Sequence, residues 1–180
     1  MKKRRNPKKS RPHKPKQKSP RFGLAPKKYN FAMNPYPDAR YTKCPICEQK
    51  TGQRKLPLFI HIDPAYPIAL NYTCRYCSKC DLLIGHQAEF EELLTKMFSQ
   101  HDPTIIGNDY LIMGTMDRKA WKENMANPKP PAEMLAHISD FKSYQIVQRS
   151  RAGWFPEGVE PPFDEPPPSV HWIKHRTKRG

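Results

Sequence analysis

The sequence predicts a small α+β fold: a β-hairpin unit, an amphipathic helix and a short α+β extension, flanked by disordered basic tails. Three observations predict it. All five cysteines fall between positions 44 and 80, as Cys44-Pro-Ile-Cys47 and, twenty-six residues on, Cys74-Arg-Tyr-Cys77-Ser-Lys-Cys80. The span between them holds two strand-like runs joined by a turn-prone stretch. A single apolar stripe at helical spacing follows the second cluster.

Two Cys-x-x-Cys hooks separated by a hairpin are the spacing of a structural zinc site, in which four thiolates close a tetrahedral shell around one Zn2+. A disulfide framework fits less well, because the cysteine count is odd and no apolar signal segment precedes it. A thioredoxin-like pair needs a hook opening a helix, whereas the second hook follows the strand-like run Ile68-Ala-Leu-Asn-Tyr-Thr73. Five cysteines for four places leave one spare, so Cys74 is an alternate ligand. His61 and His86 flank the clusters and could each replace a thiol.

The chain has 180 residues and a net charge of +15. Residues 1–28 hold thirteen Lys or Arg, five prolines and no acid, and the remaining 152 residues carry only +2. Such a segment cannot bury enough apolar surface to offset the entropy of ordering, so 1–28 reads as a disordered basic arm. Its cluster Lys2, Lys3, Arg4 and Arg5, with Lys8, Lys9 and Arg11, suits a phosphate backbone, which such residues hold by counterion release. RNA or another polyanion is the expected partner. A solubility or addressing tail on a module that docks a protein partner is the alternative. No secretory signal, presequence or transmembrane segment is read, which gives an intracellular and most simply cytoplasmic location.

Residues 29–43 form an aromatic and Pro-rich lead-in, with Tyr29, Phe31, Met33, Tyr36 and Tyr41 either stacking on unpaired bases or covering the metal unit. Residues 44–101 are the metal unit plus helix. Leu56–Ile62 and Ile68–Thr73 read as its strands, with Asp63-Pro-Ala-Tyr-Pro67 between them. Metal binding would supply most of this unit's folding free energy, on the order of 10–16 kcal/mol. Arg54, Lys55, Arg75 and Lys79 on or beside the hooks are candidate phosphate contacts. The helix predicted over Gln87–Ser99 aligns Phe90, Leu93, Leu94, Met97 and Phe98.

Residues 102–155 are the α+β extension: a strand at Asp109–Thr115, helices at Met116–Asn124 and Ala132–Asp140, and a last strand at Tyr144–Arg149. Whether it extends the first unit or stands as a lobe beside it is left open by the sequence. Residues 156–169 contain six prolines and four acids, a linker pattern, and 170–180 close the chain as a second basic tail with one aromatic.

The segment Tyr76-Cys77-Ser-Lys-Cys80-Asp-Leu-Leu-Ile84 resembles the second knuckle of zinc-ribbon proteins, with Asp81 where such knuckles usually carry Gly. Asp visits the left-handed region more readily than most residues, so the departure is tolerable. The resemblance implies Cys44, Cys47, Cys77 and Cys80 as ligands, with Cys74 spare. The stretch 44–86 is similar as a whole to uncharacterised bacterial zinc-ribbon proteins, which implies metal binding and no particular activity. Catalysis is not expected: the chain has no nucleophile elbow, phosphate-binding Gly loop or His-Glu-x-x-His helix, and four thiolates leave no open metal position.

Overall fold

The computed structural model describes residues 21–174. Its strands are β1 (Asn30–Asn34), β2 (Gly52–Ile62), β3 (Tyr66–Cys77), β4 (Leu82–His86), β5 (Tyr110–Met116), β6 (Ile138–Asp140) and β7 (Ser143–Ile146). Its α-helices are α1 (Gln87–His101), α2 (Arg118–Ala126) and α3 (Pro131–Met134). The seven strands form one sheet in the order β6-β5-β2-β3-β4-β1-β7. Residues 102–155 are therefore part of the first unit's sheet, with β5 paired to β2.

The hairpin is the longest element. β2 and β3 pair from Gly52↔Tyr76 to Ile62↔Tyr66, so β2 is longer at the hook end and β3 at both ends than the apolar runs alone predict. Most of the extra residues are those next to the hooks, which apolar patterning does not mark, and Tyr66 and Pro67 are added at the turn. Pro57 lies inside β2, but pairing with β5 starts one residue later at Leu58↔Thr115, so its missing N–H falls outside that ladder. A bulge between Phe59 and Ile60 interrupts the β2–β5 register. Beside it Gly114 lies so close to β6 that an added Cβ would sit 2.2 Å from the Ser139 carbonyl oxygen, which requires glycine there.

Strand alternation divides the core. One face of the sheet carries Phe31, Leu58, Ile60, Ile62, Tyr72 and Leu83, covered by Phe90, Leu94 and Phe98 of α1. Phe59, Met116 and Ile138 pack on the other face against Ala120 of α2 and Met134 of α3. At the hook end, Ala32, Leu82, Ile84 and Val147 surround Cys44 and Cys77.

Several expectations are corrected. The lead-in contains β1, a buried strand parallel to both β4 and β7, so Tyr29, Phe31 and Tyr36 are core residues and cannot stack on bases. Leu93 of the expected stripe is exposed. Glu91 is buried instead, its Oε1 accepting from Gln87 Nε2 (2.9 Å) and Tyr110 Oη (2.8 Å). The helix expected at Ala132–Asp140 stops at Met134, passes through a 3-10 turn (Leu135–His137) and becomes β6. Ile138 anchors that strand in the core, packed with Phe59, Met116 and Met134.

The flanks are also tied down where they are described. Leu24 and Ala25 donate backbone hydrogen bonds to Leu135 and Ile138, and Phe22 stacks on Phe59. In the acidic linker, Asp164 is joined to Arg149 and Tyr36. Trp172 of the expected C-terminal tail is buried against Phe98 and Tyr110. Among the described residues, no helix is long and apolar enough to cross a membrane.

Candidate metal centre

The first hook lies in the loop between β1 and β2, and the second begins at the last residue of β3 and turns into β4. The hairpin thus brings the two hooks to one end of the sheet. The sulfurs of Cys44, Cys47, Cys77 and Cys80 all lie within 4.8 Å of one another, and Cys47 and Cys77 are 3.5 Å apart. A tetrahedron with zinc–sulfur bonds of about 2.3 Å has sulfur–sulfur edges of about 3.8 Å, so these four thiols are positioned to hold one metal ion of that size and softness.

Backbone geometry shapes both hooks. In the first, Cys44 N–H donates to the Gln49 carbonyl (2.8 Å) and Glu48 N–H to the Cys44 carbonyl (2.9 Å). In the second, Asn30 of β1 supports the turn, donating from its backbone to the Asp81 carbonyl (2.8 Å) and from Nδ2 to the Cys80 carbonyl (3.0 Å). Asp81 has φ +49°, the left-handed conformation its position demands. Its carboxylate is held by Lys142 Nζ (2.8 Å) and Tyr76 Oη (3.1 Å).

The backbone N–H of Gln49 holds the Cys47 thiol down to about 7. Cys80 is pushed up to about 12, chiefly by its contact with Cys47, since neighbouring thiols without a cation resist sharing more negative charge. A bound dication reverses that repulsion and lets all four act as thiolates.

The alternate ligand is excluded by strand alternation. Cys74 lies three residues before Cys77 on β3, on the opposite face, among the core residues packed under α1. Burial there pushes its thiol up to about 12, the behaviour of a small core hydrophobe. His61 lies half-exposed on β2 with Nε2 3.5 Å from Asp63 Oδ1, outside the cluster. His86 is buried at the start of α1, also outside it.

Of the predicted phosphate contacts, Lys2, Lys3, Arg4, Arg5, Lys8, Lys9 and Arg11 lie outside the described residues. Arg54 is built into the surface: its guanidinium sits over the Tyr76 ring (4.0 Å) and donates to Tyr29 Oη (3.0 Å). Arg54 and Lys55 line one cleft of about 410 Å³ together with Lys28, Arg118 and His137. Its carboxylate, Asp117, accepts from the backbone of Lys119 and Ala120 and so caps α2. Arg75 lines a different cavity and Lys79 stands exposed on the second hook, so the structure does not gather all four. Lys28 was legible as the end of the basic arm. Arg118 and His137 reach the cleft only through tertiary folding.

No protein-family model matches the chain, and no curated protein and no solved structure matches it.

Proposed function

We propose that the chain is a zinc-ribbon-type protein whose four-thiolate centre is structural, and that it binds nucleic acid, RNA foremost, through its basic arm and the cleft at the arm's root. The observation that carries this reading is the docking of residues 24–28. Backbone hydrogen bonds fix Leu24 and Ala25 to the segment around β6, and Lys28 N–H to the Asp140 carbonyl (2.9 Å). Phe22 and Gly23 donate to the Asp140 carboxylate, so the docked end of the arm runs from Arg21 along the body to Lys28, which lines the cleft with Arg54, Lys55 and Arg118. The thirteen cations of residues 1–28, Lys28 of the cleft among them, act with Arg54, Lys55 and Arg118 as the polyanion contact of this reading.

The four sulfurs support a structural role for the metal, since a closed shell leaves no place for a reacting water. What the ion supplies is folding free energy at a point where few apolar residues are available. The test is fluorescence anisotropy with an RNA and a DNA strand across a salt series, comparing the full zinc-loaded chain with one starting at Arg21 and with Lys28→Glu/Lys55→Glu. The reading expects RNA affinity to fall steeply with salt, and the log–log slope to shrink by about one per phosphate contact removed. Salt-independent or absent binding by the full chain overturns it and directs the search to a protein partner.

A further inference from the structure

A second cavity, of about 320 Å³, opens on the same sheet face as the metal centre. Its floor is formed by Thr73 and Arg75 of β3 and by Ile84 and His86 of β4. Its wall is the loop Ala39–Thr42 that leads into the first hook. That wall is stitched to the hook region: Thr51 N–H donates to the Thr42 carbonyl (2.9 Å), and Thr51 Oγ1 to the Tyr41 carbonyl (2.7 Å). The four cysteines thus fix the cavity's shape from one side.

The cavity's charge and hydrogen-bonding groups are unbalanced in a way that points to a ligand. Arg75 makes one long hydrogen bond, Nε to the Tyr41 carbonyl at 3.5 Å, and among the described residues it has no carboxylate partner. Arg40 is paired with Glu89 (2.6 Å), so two guanidiniums face one carboxylate. His86 is nine-tenths buried, and neither ring nitrogen has a hydrogen-bond partner, the Pro37 backbone lying near it outside bonding geometry. Burial, followed by the nearby Arg40 charge, lowers its basicity, so the ring is neutral with one donor and one acceptor nitrogen. Both ring nitrogens are closed off from solvent, so His86 shapes the cavity's floor and the groups open to a ligand are those around it. Gln53, Thr42 and Thr73 add neutral donors and acceptors, and Tyr41 adds a ring.

A surplus guanidinium beside neutral two-way hydrogen-bonding groups and an aromatic ring, in a volume at the low end of small-molecule sites, matches one chemistry. We infer that this cavity takes a single nucleotide, its phosphate on Arg75 and its base among Gln53, Thr42 and Tyr41. This goes further than the RNA reading and rests on it for its source: the nucleotide belongs to a bound strand, or it is a free nucleoside monophosphate with the same chemistry. Guanidinium–phosphate pairing suits such a group better than lysine would, because it is planar and bidentate.

The test is isothermal titration of the full zinc-loaded chain with AMP, GMP, CMP, UMP, adenosine and inorganic phosphate, beside RNA anisotropy on the same samples. At least one nucleotide is expected to bind with a dissociation constant below about 1 mM, and adenosine and inorganic phosphate at least about tenfold more weakly. Arg75→Gln is expected to weaken the nucleotide about tenfold or more, as a charge-assisted hydrogen bond does, and Gln53→Ala to change the ranking of bases. Both positions are solvent-accessible, so neither substitution threatens the core. No nucleotide binding up to about 5 mM, together with RNA affinity and base preference unchanged by Arg75→Gln, overturns the cavity while leaving the RNA reading in place. Nucleotide binding without any RNA binding supports the cavity as a site for the free molecule and overturns the RNA source. Phosphate binding as tightly as the nucleotides overturns the assignment of the base.

Discussion

Glu48 and Asp81 occupy equivalent places, each one residue past the second cysteine of its hook, and both have left-handed backbones, with φ of +59° and +49°. The two hooks therefore make the same turn. Left-handed φ costs a residue bearing Cβ roughly 1–2 kcal/mol, and glycine escapes that cost at some expense in unfolded-state entropy. The two positions differ in what their side chains do. Asp81 is tied to Lys142 and Tyr76, whereas among the described residues the Glu48 carboxylate takes part in no ion pair.

Glu48→Gly is accordingly expected to stabilise the zinc-loaded protein by about 0.5–1 kcal/mol, and to raise its melting temperature by roughly 1–4 °C. Asp81→Gly relieves the same backbone strain but loses two side-chain contacts, so it is expected to gain nothing or to lower the melting temperature. Parallel thermal melts of the two variants separate the cases. An equal gain at both sites would show that the Asp81 contacts contribute nothing.

The ligand set makes a prediction about stoichiometry. Cys77→Ser is expected to reduce bound zinc well below one ion per chain and to loosen the hook end, since the buried sulfur beside Leu82 and Val147 is lost with its charge. Cys74→Ala removes a thiol from the core under α1 and is expected to keep one zinc per chain, at a cost of about 1 kcal/mol. Elemental analysis of dialysed samples decides it. Loss of zinc from the Cys74 variant would contradict the two-faced geometry of β3.

Much of the site was legible in the sequence because hook spacing is local. Cys-x-x-Cys needs only a turn, and the apolar runs at 56–62 and 68–73 announce the strands between the hooks. The choice between Cys74 and Cys80 followed from the knuckle pattern, and strand alternation supplies its physical reason. What was not legible depends on distant partners. β1 is five residues long with Pro35 and Pro37 just beyond it, and only β4 and β7, fifty and more residues away, make it a strand. The Pro-rich stretch after residue 156 has the composition of a linker, but composition does not reveal Tyr36 Oη donating to the Asp164 carbonyl (2.8 Å). The cavity beside the hooks draws on five separate segments, and no motif marks it.

Arg149 fastens that stretch. Its guanidinium bonds Asp38 through Nη1 (2.9 Å) and Asp164 through Nε and Nη2 (3.0 and 2.5 Å), and it lies over the Tyr36 ring. Lysine cannot reproduce a planar fork shared by two carboxylates. Arg149→Lys is therefore expected to speed amide exchange around Asp164 while leaving α1 unchanged. The hydrogen bond from Arg149 also holds the Asp38 carboxyl below its ordinary range. Folding thus favours the ionised form, so this contribution is present above the unfolded value of about 3.9 and is lost as pH falls through the lower folded value. The Arg149 Nη1–H resonance, from the group that donates to Asp38, should report that loss in an acid titration. A signal indifferent to pH would mean the fork is not formed in solution.

Trp172 closes the open end of the core. Its ring stands edge-on to Tyr110 (6.0 Å, 90°) and packs on Phe98 (6.1 Å, 61°), and its Nε1–H donates to the Asn108 carbonyl (2.7 Å). The chain just beyond it lies against Gly107, where an added Cβ would meet Lys174 N at 2.2 Å and φ is +85°. Substitutions at two positions therefore probe one contact. Trp172→Ala removes a large buried ring and is expected to cost about 3–5 kcal/mol, whereas Trp172→Phe keeps most of the apolar contact and loses chiefly the hydrogen bond, about 1 kcal/mol. Gly107→Ala is expected to destabilise from the other side, by left-handed strain and by displacing residues 173 and 174. Denaturant melts of the three variants should rank them with alanine at 172 worst and phenylalanine mildest. A Trp172→Ala protein as stable as the parent would show that the core is already closed by Phe98 and Tyr110, with the C-terminal segment lying on it without contributing.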